Sequence, residues 1–91
     1  MGMYEVRDTA QARADFHALP LAIQARVEAL YRRLAQWPDV SGVKPLRGSL
    51  RGAYRLRTGD YRVLFRVERD ARRVVVFCIA HRREVYEQRG V

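Results

Sequence analysis

Apolar positions recur along this chain with two different periods, and the switch between them divides it. From Ile23 to Trp37 they fall at Ile23, Val27, Leu30, Leu34 and Trp37, spaced by three or four residues as on one face of an α-helix. The other side carries Gln24, Arg26, Arg32, Arg33 and Gln36, a solvated face. A shorter helix precedes it, with Ala12, Phe16 and Leu19 on one side. Asp8 is expected to cap its start, with Gln11 three residues on as in a capping box. Pro20 ends the first helix and opens the second, because proline fits a first turn and not an interior. Trp37-Pro38-Asp39 stops the second. Together they predict a helical hairpin with a very short turn.

Residues 40–52 form a loop rich in Gly, Ser and Pro, and after it the period becomes two. Residues 53–57 and 61–67 alternate as strands, joined at Thr58-Gly59-Asp60 by a tight hairpin turn. Arg69-Asp70-Ala71-Arg72 is the next turn, and residues 73–80 are nearly all apolar, which places that strand centrally in its sheet. Residues 3–7 read as a further strand, with Tyr4 and Val6 on one face. The order strand, helix, helix, then three strands predicts an α+β domain. An N-terminal strand and a two-helix hairpin pack on a mostly antiparallel sheet of about four strands. At 91 residues, the whole chain, 1–91, reads as one domain.

No apolar run approaches the ~20 residues that cross a bilayer, and the N-terminus has no apolar signal core. The expected location is cytoplasmic, with no membrane partner. Cys78 is the one cysteine, which rules out an internal disulfide, and its neighbours Val76, Phe77 and Ile79 suggest an inert buried thiol. With two histidines far apart in sequence, no metal site and no cofactor are expected.

Charge sharpens the picture. The net charge is +8. Residues 1–50 hold seven basic residues against five acidic, whereas residues 51–91 hold eleven against five. All the basic residues but Lys44 are arginine, the side chain suited to bidentate phosphate contacts. Strand alternation turns Tyr54, Leu56, Tyr61, Val63, Phe65 and Val67 to the core, and Arg55, Arg57, Arg62 and Arg66 to the opposite face. Lys44, Arg47 and Arg51 in the preceding loop add to the cations. Two readings stay open: an ordinary wet sheet face whose arginine stems cover apolar surface, or a phosphate-binding face for nucleic acid. The last strand runs into His81-Arg82-Arg83-Glu84-Val85-Tyr86. His81 is either a structural residue at a strand end or a proton-transfer group, and Tyr86 could stack on a base. There is no P-loop, no nucleophile elbow and no helix-turn-helix signature.

Three stretches carry a resemblance: Val43-Lys44-Pro45-Leu46-Arg47-Gly48, the run from Tyr54 to Phe65, and Ile79-Ala80-His81-Arg82-Arg83-Glu84-Val85-Tyr86. With Phe16-His17-Ala18-Leu19-Pro20 before an amphipathic helix, they resemble the RelE/ParE toxin superfamily, in order and over nearly the whole chain. The basic segment followed by Tyr86 is similar to the RelE branch. The resemblance implies a toxin of a bacterial type II toxin–antitoxin system that enters the ribosome and cuts messenger RNA. There, a 2′-hydroxyl would attack the adjacent phosphate without a metal. It further implies Arg62 on the scissile phosphate, Arg82 against developing charge, Tyr86 on a nucleotide, and Arg55 and Arg57 where some members carry Lys. Arginine does not readily lose its proton, so Arg55 and Arg57 would act as clamps and proton transfer would move to His81. Lys44, Arg47, Arg51 and Arg66 would bind RNA phosphates. The implied partners are an acidic antitoxin, the ribosome with its mRNA, and operator DNA only through the antitoxin complex. Two alternatives remain, a ParE-like toxin that inhibits gyrase and an inactive module that only binds its antitoxin.

Overall fold

A computed structural model describes residues 3–83. Strand β1 (Glu5–Asp8) leads into helices α1 (Ala10–His17) and α2 (Leu21–Leu34). Then come β2 (Lys44–Pro45), a 3-10 turn (Gly48–Leu50), β3 (Tyr54–Thr58), β4 (Tyr61–Glu68) and β5 (Arg73–His81). The sheet has five strands in the order β1-β5-β4-β3-β2, one more than the sequence suggests. The addition is β2, two residues that pair with β3 through Lys44↔Arg55 and Pro45↔Tyr54. A proline in so short a segment hides the strand, yet an edge position tolerates it. All pairings are antiparallel except β1 with β5.

The cap of α1 differs from expectation. Asp8 ends β1 and pairs with Arg13 at 3.0 Å, while the Thr9 hydroxyl accepts the Ala12 N–H at 3.1 Å. Gln11 donates to Asp15 instead of closing a capping box. Asp8 pairs with Val76 of β5, and the Thr9 N–H donates to the Val76 carbonyl at 2.9 Å, so the sheet holds the chain up to Thr9 and leaves that hydroxyl to cap the helix. Thr9→Ala is expected to cost about 1 kcal/mol, read by urea unfolding. Asp15 then ties α1 to the sheet by accepting the Ile79 N–H at 3.0 Å.

The main core lies between helices and sheet. Val27, Leu30 and Leu34 of α2 and Ala12 of α1 meet Leu56, Val63, Phe65, Val74, Val76 and Ile79. These are the positions that both periods point inward. Trp37, just past α2, closes one end against Tyr54 and Phe65, with ring centroids 5.1 and 5.7 Å away.

The far face of the sheet is not open throughout. Leu46 and Ala53, at the two ends of the loop that carries the 3-10 turn, are buried on it with Leu64. Leu50, Phe77 and Cys78 pack against that second cluster, so Cys78 is half-buried and not fully enclosed. A bulge makes this possible. Leu64 pairs with Cys78 and Phe65 with Val76, leaving Phe77 as the extra residue. An inserted residue breaks alternation, so adjacent Phe77 and Cys78 both serve the outer cluster.

Candidate functional site

The hairpin of β3 and β4 sets the geometry of the outer face. Gly59 takes φ +57 at the first of its two turn positions, which a side chain disfavours and a tight hairpin requires. The turn fixes the register Arg57↔Arg62 and Arg55↔Leu64, and β2 adds Lys44 opposite Arg55. Two like-charged pairs thus stand directly across from each other, an arrangement that costs stability. On its other side Arg62 faces Ala80, a methyl group with no charge to offer.

Arg62 is the buried member of this set. It is 4% exposed, and its Nε and Nη1 are enclosed with no hydrogen-bond partner among the described residues. Alternation placed it correctly on the face away from the helices but could not show that the face encloses it there. Among the described residues, Lys44, Arg47, Arg51, Arg55, Arg57, Arg62 and Arg66 form no ion pair. The acids are engaged elsewhere. Glu68 meets Arg73 at 2.9 Å, and Glu5 meets Arg7 at 2.7 Å and Arg73 at 3.3 Å. The Arg7 and Arg73 guanidiniums hold the Glu5 carboxyl below the usual carboxylate range. Charge is compensated at that end of the sheet, whereas around Arg62 no described acid compensates it.

The other expected site residues divide. Arg66 lies on the outer face with its guanidinium carbon 4.6 Å from the Phe77 ring centroid. Arg47 and Arg51 flank the 3-10 turn on the loop that covers this face. Arg82 stands at the hairpin tip, its N–H donating to the Asp60 carbonyl at 2.7 Å and its Nε 3.9 Å from the Asp60 carboxylate. His81 goes to the opposite side. It pairs with Tyr61, packs edge-on against that ring at 5.3 Å, and lines a pocket under α1 with Asp15, Leu19, Pro20 and Ile79. The structure therefore gathers Arg55, Arg57, Arg62 and Arg66 and does not bring His81 to them. Tyr86 lies outside the described residues. Sequence reasoning missed the second apolar cluster. Its signal was Leu64 between two outward arginines, with Leu46 and Leu50 in the basic loop.

A buried, unpartnered guanidinium amid further uncompensated cations is suited to one task, gripping an anion with several oxygens. Comparison with known proteins identifies the family. The family model for the ParE toxin of type II toxin–antitoxin systems (parDE) matches residues 6–86. Toxin RelG of Mycobacterium tuberculosis is 40% identical over 86 residues, spanning 93% of this chain and 98% of that protein. Toxin RelE of the same organism is 39% identical over 84 residues, 91% of this chain and 86% of its own length. The toxin–antitoxin complex RelBE2 of M. tuberculosis contains a chain of the same fold, with TM-score 0.80, 38% identity and coverage of 90% here and 94% there. The isolated Escherichia coli RelE toxin, at 19% identity and TM-score 0.73, shares the fold. Among the described residues no helix is long and apolar enough to cross a membrane. From its helical hairpin, its sheet and its relatives, this chain belongs to the ParE toxin family of type II toxin–antitoxin systems, as a toxin of the RelE kind.

Proposed function

We propose that this toxin is an endoribonuclease that cuts mRNA on the ribosome, in the cytoplasm, by 2′-hydroxyl attack on the adjacent phosphate without a metal. The observation that carries this reading is Arg62, 4% exposed with two guanidinium nitrogens unpartnered, in a face of cations with no compensating acid among the described residues. A phosphodiester supplies the missing acceptors. As attack proceeds, charge builds on the equatorial oxygens, and a preorganised guanidinium gains most at that point. Arg57, directly opposite Arg62, and Arg55 clamp the same strand. Arg82 at the hairpin tip and Tyr86 complete the contacts to charge and base.

The proton-transfer role expected of His81 is open to a direct test, because its side chain lies on the helical face. General acid–base catalysis contributes about 10²–10⁴-fold. His81→Ala is expected to lose less than that, with Arg62→Ala losing far more. A His81→Ala loss above about 100-fold would return proton transfer to the imidazole.

The inhibitor in this reading is an acidic antitoxin that covers the cationic face, as suits a chain of net charge +8. Related toxins from M. tuberculosis and Pyrococcus horikoshii are solved in complex with their antitoxins. Operator DNA is reached only through such a complex. The deciding experiment is induction in a host without antitoxin, with mapping of mRNA 5′ ends. Growth arrest with cuts inside translated codons, lost in Arg62→Ala, is expected. Arrest with intact mRNA and a DNA-damage response would instead identify a gyrase poison, and no arrest would leave only an antitoxin-binding module.

A further inference from the structure

The outer face also holds a cavity on which two cations converge. The loop after β2 rises over the sheet, and a pocket opens between it and β4, lined by Ser49, Leu50, Arg51, Gly52, Ala53 and Arg66. Among the described residues neither the Arg51 nor the Arg66 side chain has an ion pair or hydrogen bond. The walls are fixed. Leu46 and Ala53 are buried with Leu64, the Leu46 N–H donates to the Ala53 carbonyl at 2.9 Å, and the Ala53 N–H donates to Leu50 at 3.0 Å. The Arg66 guanidinium lies over the Phe77 ring, 4.6 Å from its centroid, a contact that leaves its N–H groups available to an anion. Gly52 has φ +98 and nothing within 4 Å of where a Cβ would stand, so a ligand can approach bare backbone there.

Position relates this pocket to Arg62. Arg62 and Arg66 share β4 and both point to the outer face, four residues apart, or roughly 13 Å along a strand. That is about the distance between phosphates two steps apart on an extended RNA strand. We propose that the pocket of Ser49, Arg51 and Arg66 is a second phosphodiester subsite, gripping the same mRNA strand about two nucleotides from the phosphate held by Arg62. It rests on the nuclease reading, and it aligns the strand with β4. One clamp locates a phosphate, whereas two at a set spacing also fix the line along which the strand runs.

The test uses the full-length toxin and ribosomes programmed with mRNA that carries a 2′-deoxynucleotide at the cut codon, so that binding is read without cleavage. Arg66→Ala is expected to weaken binding about tenfold, Arg51→Ala/Arg66→Ala further, and the salt dependence to fall by about one unit per arginine. On cleavable mRNA the loss appears in KM, with kcat within about twofold. Arg66→Lys recovers part of the affinity, and unchanged melting temperatures show that the fold is intact. Replacing the single linkage two nucleotides from the cut by an uncharged methylphosphonate should cost wild type as much as Arg66→Ala does and cost Arg66→Ala nothing more. Wild-type affinity in the double variant would overturn the subsite and leave the nuclease reading standing. Additive losses from variant and methylphosphonate would overturn it in favour of ribosomal RNA in the pocket. A loss confined to antitoxin binding would overturn it in favour of an acidic peptide. Failure of wild type itself to bind programmed ribosomes would overturn the nuclease reading and the subsite together.

Discussion

Arg62→Met is expected to unfold at a higher temperature than wild type and, if the toxin is the proposed nuclease, to lose most of its RNA cleavage. The two halves of that result have one cause. Folding carries the Arg62 side chain out of water to 4% exposure and leaves Nε and Nη1 without acceptors among the described residues. A buried polar group without a partner costs about 1–3 kcal/mol, and a charged one more. Methionine keeps much of the stem and removes the charge, so a gain of about 1–3 kcal/mol is expected. In a domain of this size each kcal/mol moves the melting temperature by about 4–8 °C. The opposing charge at Arg57 adds to the gain, because Arg62 stands directly across from it. Catalysis moves the other way. Removing one preorganised donor to a developing oxyanion costs about 10²–10³-fold in rate, and under the proposed nuclease reading Arg62→Met is expected to lose at least that much. Calorimetry and cleavage on programmed ribosomes, run on the same preparation, check both signs. A variant less stable than wild type would mean that Arg62 is satisfied in the free toxin, and the reading of the site would fail with it.

Phe65→Ala is expected to be strongly destabilising. Phe65 is fully buried at the middle of β4. Its ring stacks on Tyr54 at 5.6 Å and meets Trp37 edge-on at 5.7 Å. That trio joins the end of α2 to the centre of the sheet. Truncating a buried phenylalanine costs about 3–5 kcal/mol through lost transfer energy and the cavity left behind. Against a whole-domain stability of about 5–15 kcal/mol, this brings the fold near its threshold. Urea unfolding with an unchanged m-value would register it as a shift in midpoint. Leu21→Ala serves as the control. Leu21 is 81% exposed, and a change of less than about 0.5 kcal/mol is expected there. A small effect at Phe65 would mean that the aromatic trio can close over the space.

Both results bear on how the toxin divides its surface. The face toward the helices is a conventional core whose worth is stability. The other face carries cations that have no ion pair among the described residues, and in the proposed reading these await a phosphodiester. The second apolar cluster reconciles the two, because Leu46, Leu64 and Phe77 cover the part of the sheet that the helices do not reach. Arg66 rides on that cover, over Phe77. A basic face therefore sits on packed ground.

Much of this was legible in the sequence. Spacings of three and four placed Val27, Leu30 and Leu34 on the buried side of α2, and alternation placed Val63 and Phe65 inward with Arg62 and Arg66 outward. The apolar run in β5 correctly implied a central strand, since β5 lies between β1 and β4. These readings succeed because period is a local property, set by the backbone geometry of each element. The resemblance in the three stretches pointed to the family. Tertiary structure alone decided the rest. Thr9 caps α1 because Asp8 is claimed by pairing with β5, and β2 exists only because β3 offers it an edge. The bulge at Phe77 breaks the alternation that would otherwise have assigned its face. His81 falls on the helical side and Arg62 becomes enclosed for the same kind of reason. Which face a side chain takes at a strand end, and whether that face is covered, depends on segments distant in sequence. Periodicity reports which way a residue points, and only packing decides what meets it there.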